Sequence, residues 1–290
     1  HENGDYNVAI GLVALGNNTS GNNNIALGER VMADSEGGEH NAAFGKHALY
    51  YNRGNDNIAI GFQASYRNTT GNNNTAMGNH ANFFNETGDN NIAIGNQALY
   101  NNKASNNVAL GYRALRFNDN GVHNIGVGFL ALTAHNSGNY NIALGFSSLA
   151  NIEEGDSNVA VGGSTLLNVS SGEGNVAIGQ GSMQNSVEVN RNTAIGRNAG
   201  VGTGTGNYNV FLGASAGASS NNGDNNILIG YNVQKLSTQA NNQLNIGNVI
   251  RSHDMTAGIV EMDKLVLSNL PTSQPSEPGM VWNDNGTLKI

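Results

Sequence analysis

The pattern Asn, apolar, Ala, apolar, Gly returns along most of the chain, and this recurrence restricts the fold more than any other property of the sequence. It reads Asn7-Val8-Ala9-Ile10-Gly11, then Asn24-Ile25-Ala26-Leu27-Gly28, and later Asn57-Ile58-Ala59-Ile60-Gly61. The closing glycines are Gly11, Gly28, Gly45, Gly61, Gly78, Gly95, Gly111, Gly128, Gly145, Gly162, Gly179, Gly196, Gly213, Gly230 and Gly247. Of the 14 spacings between these 15 glycines, 12 are 17 residues; Gly45 to Gly61 and Gly95 to Gly111 are 16. Asn opens 14 of the 15 units, with Gln243 the exception. A phase held over more than 230 residues marks a repeat architecture.

Each unit carries a second short apolar stretch after the glycine, as in Ala14-Leu15, Ala48-Leu49, Ala98-Leu99, Ala114-Leu115 and Ala131-Leu132. A polar turn follows, for example Asn68-Thr69-Thr70-Gly71. One unit therefore reads as strand, bend, strand, turn. Seventeen residues are too few for a helical βαβ crossover, which takes about 30. Composition agrees: the 53 Asn and 40 Gly are poor helix formers. The 38% hydrophobic residues are too many for an Asn/Gly-rich linker. The expected fold is all-β, a parallel β-roll of about 15 coils with a 16–17-residue repeat. At about 4.8 Å per coil it forms a rod of roughly 70 Å.

Alternate strand residues face opposite sides. In Ile58-Ala59-Ile60 the isoleucines share one face and Ala59 takes the other, so both faces are apolar. A two-strand coil has one interior, and the second face needs cover. The expectation is that the alanine face admits close approach of another chain, in an obligate homo-oligomer of rolls packed side by side. Gly tolerates positive φ at the bends. Stacked Asn side chains can bond along the coil axis as amide ladders. Asn17-Asn18-Thr19-Ser20 and Asn168-Val169-Ser170 also match glycan-acceptor sequons, a weak signal.

No catalytic constellation stands out. Cysteine is absent, which excludes disulfides and thiol chemistry. The seven histidines, His1, His40, His47, His80, His123, His135 and His253, show no metal-ligand spacing. His47 and His80 share one place in their units, beside Arg30, Gln63, Gln97 and Arg113 in others. That column reads as a solvated polar row, with anion or water binding between subunits as the alternative. The expectation is no enzyme, no cofactor and no metal. No run of 18 apolar residues exists, so no membrane insertion is expected. No signal peptide is apparent, although a chain opening with His1 leaves a processed or truncated start open. The net charge of −8 argues against a nucleic-acid partner.

Aromatic residues supply the candidate receptor contacts. Tyr50, Tyr66, Phe83 and Tyr100 each lie five residues after a repeat glycine in consecutive units, so stacking makes them a column. Tyr112, Phe129 and Phe146, each one residue after its glycine, form a second set. Such rings serve sugar or apolar receptor faces, or simply a ladder that stabilises the roll.

The runs NNNIALG, NDNIAIG and DNNIAIGNQAL resemble the head repeat of YadA-like trimeric adhesins over residues 1 to about 250. That resemblance implies a left-handed parallel β-roll packed as a homotrimer. The usual adhesin repeat is shorter, and the recurring Gly-x-x-Ala-Leu looks more like the version in phage tail fibres.

Beyond Gly247 the period stops, which divides the chain into a repeat domain, 1–250, and a C-terminal segment, 251–290. Met262 to Leu270 reads as one more strand. Pro271, Pro275 and Pro278 mark an extended connector, and Asn283-Asp284-Asn285-Gly286 marks a hairpin turn. Trp282, the only tryptophan, is a candidate cap for the open end, with docking to another protein as the alternative. The stretch LPTSQPSEPGMVWNDNGTLKI is similar to the ends of phage tail and fibre proteins. The expected function is thus a virion tail fibre that attaches to a glycan or protein receptor on the host surface and contacts other tail proteins. The alternatives are the head of a bacterial trimeric autotransporter adhesin on the cell surface and the carrier spike of a glycan-degrading assembly.

Overall fold

The computed structural model describes residues 4–202, 204–219, 222–237, 240–258, 261–262, 282–284 and 287–289. Each apolar-Ala-apolar triplet and its equivalents form a three-residue strand. Fifteen of these, from β1 (Val8–Ile10) through β4 (Ile58–Ile60) to β15 (Leu244–Ile246), pair in chain order as one parallel sheet. Equivalent positions lie side by side, with Ala43 next to Ala59 and Ala59 next to Ala76. The protein is an all-β solenoid with the expected repeat. The repeat glycine turns the chain at the end of each strand: Gly61 has φ +134°, and a Cβ there would meet the Gly78 carbonyl oxygen at 2.6 Å. Only glycine combines that backbone with that approach to the next coil.

The two 16-residue coils lose their residue in the polar turn. Asn18 Nδ2 donates to the Gly21 carbonyl three residues on, whereas Asn52 Nδ2 reaches the Gly54 carbonyl two residues on. The strands and the interior keep their register.

Two expectations are corrected. The alanines do not face outward. Ala59 is fully buried inside the coil, while Ile58 and Ile60 are 42% and 37% exposed. The interior is narrow, and it is filled by Ala from the strand side and by residues such as Leu49, Leu99, Leu115 and Leu132 from the opposite side. Small residues on the strand side leave room for the larger ones opposite. The large apolar residues therefore line the outer face of the sheet.

The second apolar stretch is not an extended strand. His47 and Leu49 have φ of 60° and 48°, and Gln63 and Ser65 repeat this at 54° and 48°. Left-handed backbone costs a residue with a Cβ roughly 1–2 kcal/mol. Pairing between coils offsets it. The His47 N–H donates to the Glu29 carbonyl of the preceding coil (3.0 Å), and the Leu49 N–H donates to the Ala64 carbonyl of the following coil (3.0 Å). The Ala48 N–H closes on the Gly45 carbonyl within the coil (3.1 Å) and the Tyr51 N–H joins the following coil at Tyr66 (3.1 Å), so these donors find acceptors without an extended chain.

The opening Asn column forms a ladder, side chain to side chain as expected at some rungs, such as Asn74 Nδ2 to Asn57 Oδ1 (3.1 Å), and side chain to backbone at every coil. Asn57 Oδ1 accepts the Asn74 N–H (2.9 Å), and Asn57 Nδ2 donates to the Gly71 carbonyl (2.9 Å). The same link joins each coil to the next, from Asn7 accepting the Asn24 N–H to Asn226 accepting the Gln243 N–H. A second buried ladder runs through the turn: Asn68, Asn85, Asn102 and Asn118 each donate Nδ2 to the Asn one coil earlier, beginning at Asn52.

The parallel order ends at β15. The strand β16 (Ile250–Ser252) pairs antiparallel with β15, and β17 (Glu261–Met262) pairs antiparallel with β16. A single 3-10 turn, Met255–Ala257, lies between them. The sheet thus continues across the boundary expected at residue 250, and a reversed strand covers its edge. The strand expected over Met262 to Leu270 is described only at its first residue; 263–270 and the Pro-rich connector lie outside the described residues. The expected hairpin is present as β18 (Trp282–Asp284) and β19 (Thr287–Lys289), paired Trp282 to Lys289. The Trp282 side chain, on which a capping role depends, lies outside the described residues.

Candidate functional site

The repeat places like positions in columns parallel to the solenoid axis. Tyr50, Tyr66, Phe83 and Tyr100 form one uninterrupted stack, with successive ring centroids 5.3, 5.1 and 5.2 Å apart and interplanar angles of 25°, 10° and 13°. The Arg116 guanidinium carbon sits 5.7 Å from the Tyr100 centroid and extends the stack as a cation. These four rings are half-buried. Burial is the main cause that pushes the Tyr66 phenol above its ordinary value, with Tyr51 and Tyr50 adding to it.

His47 and His80 are not a solvated row. His47 lies edge-on to Tyr50 (5.6 Å), and His80 packs on Phe83 (5.4 Å) and edge-on to Phe62 (5.3 Å). Burial holds both imidazoles below the usual histidine range; at His47 the Lys46 and Arg30 charges add to it. They act as packing groups beside the ring stack.

The second set also stacks. Tyr112 and Phe129 are 5.1 Å apart at 17°, and Phe129 and Phe146 are 5.4 Å apart at 5°. This column is the more open of the two, since Phe129 and Phe146 are exposed. Arg113 covers the Tyr112 ring at 4.8 Å.

A third aromatic column was not recognised from sequence. Tyr51, Phe84 and Phe117 lie six residues after Gly45, Gly78 and Gly111, on every second coil, with Arg67 and Asn101 between them. The first two pack edge-on against the stack: Tyr51 on Tyr50 (4.6 Å), Phe84 on Phe83 (4.5 Å). Arg67 lies over Phe84 (5.5 Å) and Arg116 over Phe117 (4.5 Å). The available signal was a spacing of 33 residues, or two coils, from Tyr51 to Phe84 to Phe117.

These rings line two clefts on the corner where the polar turns stack. One, of about 530 Å3, is bordered by Phe84, Glu86, Asn101, Lys103, Phe117 and Asp119. The other, of about 270 Å3, is bordered by Asp34, Tyr51, Arg53, Arg67, Thr69 and Glu86. Glu86 belongs to both. Arg53 pairs with Glu36 (3.0 Å), and Lys103 with Asp119 (3.1 Å).

Among the described residues, no three His, Asp or Glu side chains converge as a metal-ligand set, and no helix is long and apolar enough to cross a membrane. No family model matches the chain, and neither a curated protein nor a solved structure matches it. The fold by itself does not specify function. The functional argument rests on the outer sheet face and on the aromatic corner.

Proposed function

We propose that the chain is a non-enzymatic, homotrimeric β-roll fibre of a phage-type virion tail, serving as a structural spacer and in attachment to the host surface. One observation carries the reading: the outer sheet face is predominantly apolar along the roll, and among the described residues nothing packs on it. Val8, Ile10, Ile25, Phe44, Ile58, Ile60, Met77, Ile92, Ile94, Leu144, Ile178, Ile195 and Leu212 are all exposed on it. Its rows run the length of 15 strands, roughly 70 Å at the spacing of a sheet. A soluble monomer rarely shows a patch beyond a few hundred Å2. Association along the roll axis buries both rows and gives a long, stiff rod. A three-fold arrangement is the one the repeat resemblance supports.

Attachment is supported by the ring columns at the surface, and the tail-fibre reading by the resemblance of the last 21 residues to tail-protein ends. The same repeats suit the head of a bacterial trimeric adhesin. Immunogold labelling of source cultures with antibody to the purified protein separates the two. Label on particle tails supports the fibre. Label confined to cell envelopes rejects the fibre in favour of the adhesin.

A further inference from the structure

We propose that the aromatic corner is a groove for a linear, uncharged glycan lying parallel to the solenoid axis. This deepens the attachment reading and rests on it for its biological role.

The groove has two walls. One is the column six residues after the repeat glycine, which runs Asp34, Tyr51, Arg67, Phe84, Asn101, Phe117. The other is the column eight residues after it, which runs Glu36, Arg53, Thr69, Glu86, Lys103, Asp119. The residue between them in each turn is the buried Asn ladder, Asn52 to Asn118, which fixes the floor. Glu86 borders both clefts, and we take the two, in line along the corner, as one channel.

The spacing suits a polysaccharide. Tyr51, Phe84 and Phe117 recur every second coil, roughly 10 Å apart at the coil spacing of a parallel sheet. That is close to the length of two pyranose units in an extended chain. Rings at this interval offer an apolar platform to every second sugar. The facing column presents hydrogen-bonding groups to the hydroxyls between platforms.

Charge selects among ligands. In the second wall Arg53 is neutralised by Glu36 and Lys103 by Asp119. Neither a polyanion nor a basic peptide finds a wall of opposite sign. Glu86 makes no salt bridge among the described residues, and its carboxylate at the centre of the channel is placed to accept from two neighbouring sugar hydroxyls. The channel is separated from the apolar sheet face by the polar residues leading into each strand, such as Asn55–Asn57, so a self-associated roll keeps it open.

The test uses the intact protein and size-resolved linear oligomers, two to eight units long, of glucose, mannose, galactose and N-acetylglucosamine. Polygalacturonate and heparin serve as anionic probes. Binding is followed by titration calorimetry. The expected result is that at least one neutral series binds, with affinity rising with length until the oligomer spans Tyr51 to Phe117. Phe84→Ala and Phe117→Ala should each weaken binding at least tenfold, and the near-isosteric Glu86→Gln severalfold. Phe146→Ala should leave it unchanged, with melting temperatures of all variants confirming the fold. Absence of binding by every neutral series, binding by anionic probes alone, or neutral binding indifferent to Phe84, Phe117 and Glu86 overturns the proposal. Neutral binding at the groove without label on particles or cell surfaces keeps the groove and rejects the attachment reading.

Discussion

Phe211 and Gly217 occupy complementary space in one coil: a Cβ at Gly217 would lie 2.4 Å from Phe211 Cδ1. Most coils place Ala on the strand and a residue such as Leu six positions later, as with Ala109 and Leu115. Here a large ring on the strand side meets a residue without a side chain on the other. Both packings fill the same interior volume.

Gly217→Ala should therefore destabilise the solenoid by about 1–3 kcal/mol through overpacking. Phe211→Ala should cost about 3–5 kcal/mol through the cavity it leaves. The backbone at Gly217 (φ +65°) is close to that of Leu115 (φ 48°), so leucine fits there once the ring is gone. The double variant Phe211→Ala with Gly217→Leu should recover most of the loss, read as a double-mutant cycle in urea.

His135 interrupts the turn ladder. Its Nε2 donates to the Gly138 carbonyl (2.8 Å), and neither its Nδ1 nor Asn118 Oδ1 has a protein partner. His135→Asn should restore the rung seen between Asn118 and Asn102 and raise stability by about 1 kcal/mol. Burial holds the His135 imidazole below its ordinary value of 6.5, outweighing the Gly138 bond and Asp156, which raise it. The unfolded chain thus binds the proton first, so stability is fully present above about pH 6.5 and declines as pH falls below it. Melting temperatures measured from pH 7.5 to 5 should fall less steeply for His135→Asn than for the wild type.

Asn141 shows what the opening ladder contributes. Its Oδ1 accepts the Asn158 N–H (3.0 Å), and its Nδ2 donates to the Gly155 carbonyl (2.6 Å). Asn141→Ala leaves the buried Asn158 N–H and the part-buried Gly155 carbonyl without these partners and should cost about 1–3 kcal/mol. Asn17→Ala removes only an exposed contact to Asp34 and should change stability by less than about 0.5 kcal/mol. Equal effects from the two in thermal melts would contradict the ladder's role.

Strands, register and the Asn ladder were legible in the sequence because they follow from one phase repeated 15 times. The sense of the strand was not. Ile58, Ala59 and Ile60 are all apolar, and a period of two separates faces without saying which is inside. Coil width decides that, and it depends on Leu49 and its equivalents across the interior. The second side was misread because Leu49 and His47 adopt left-handed backbone, which their residue types disfavour and coil-to-coil hydrogen bonds impose. Tyr50, Tyr66, Phe83 and Tyr100 were visible as a run in consecutive coils. Tyr51, Phe84 and Phe117 skip a coil each time and escape a search of neighbouring units.

The inside-out sense of the strand separates two classes of substitution. Ala59→Leu should break the coil itself, because Ala59 is fully buried against its own chain. Ile60→Asp paired with Ile94→Asp should leave each coil folded and abolish association, since both side chains point outward. Circular dichroism retained alongside a smaller mass is the expected outcome for the aspartate pair. Loss of the folded signal in that pair would place these side chains inside the roll.

The most direct measurement is the mass of the intact protein by sedimentation equilibrium over a wide concentration range. A homotrimeric fibre predicts a single species three times the 30.2 kDa chain mass, with no monomer at the lowest concentration. A folded, soluble species of 30.2 kDa would contradict it, because the apolar sheet face would then stand in water without a partner.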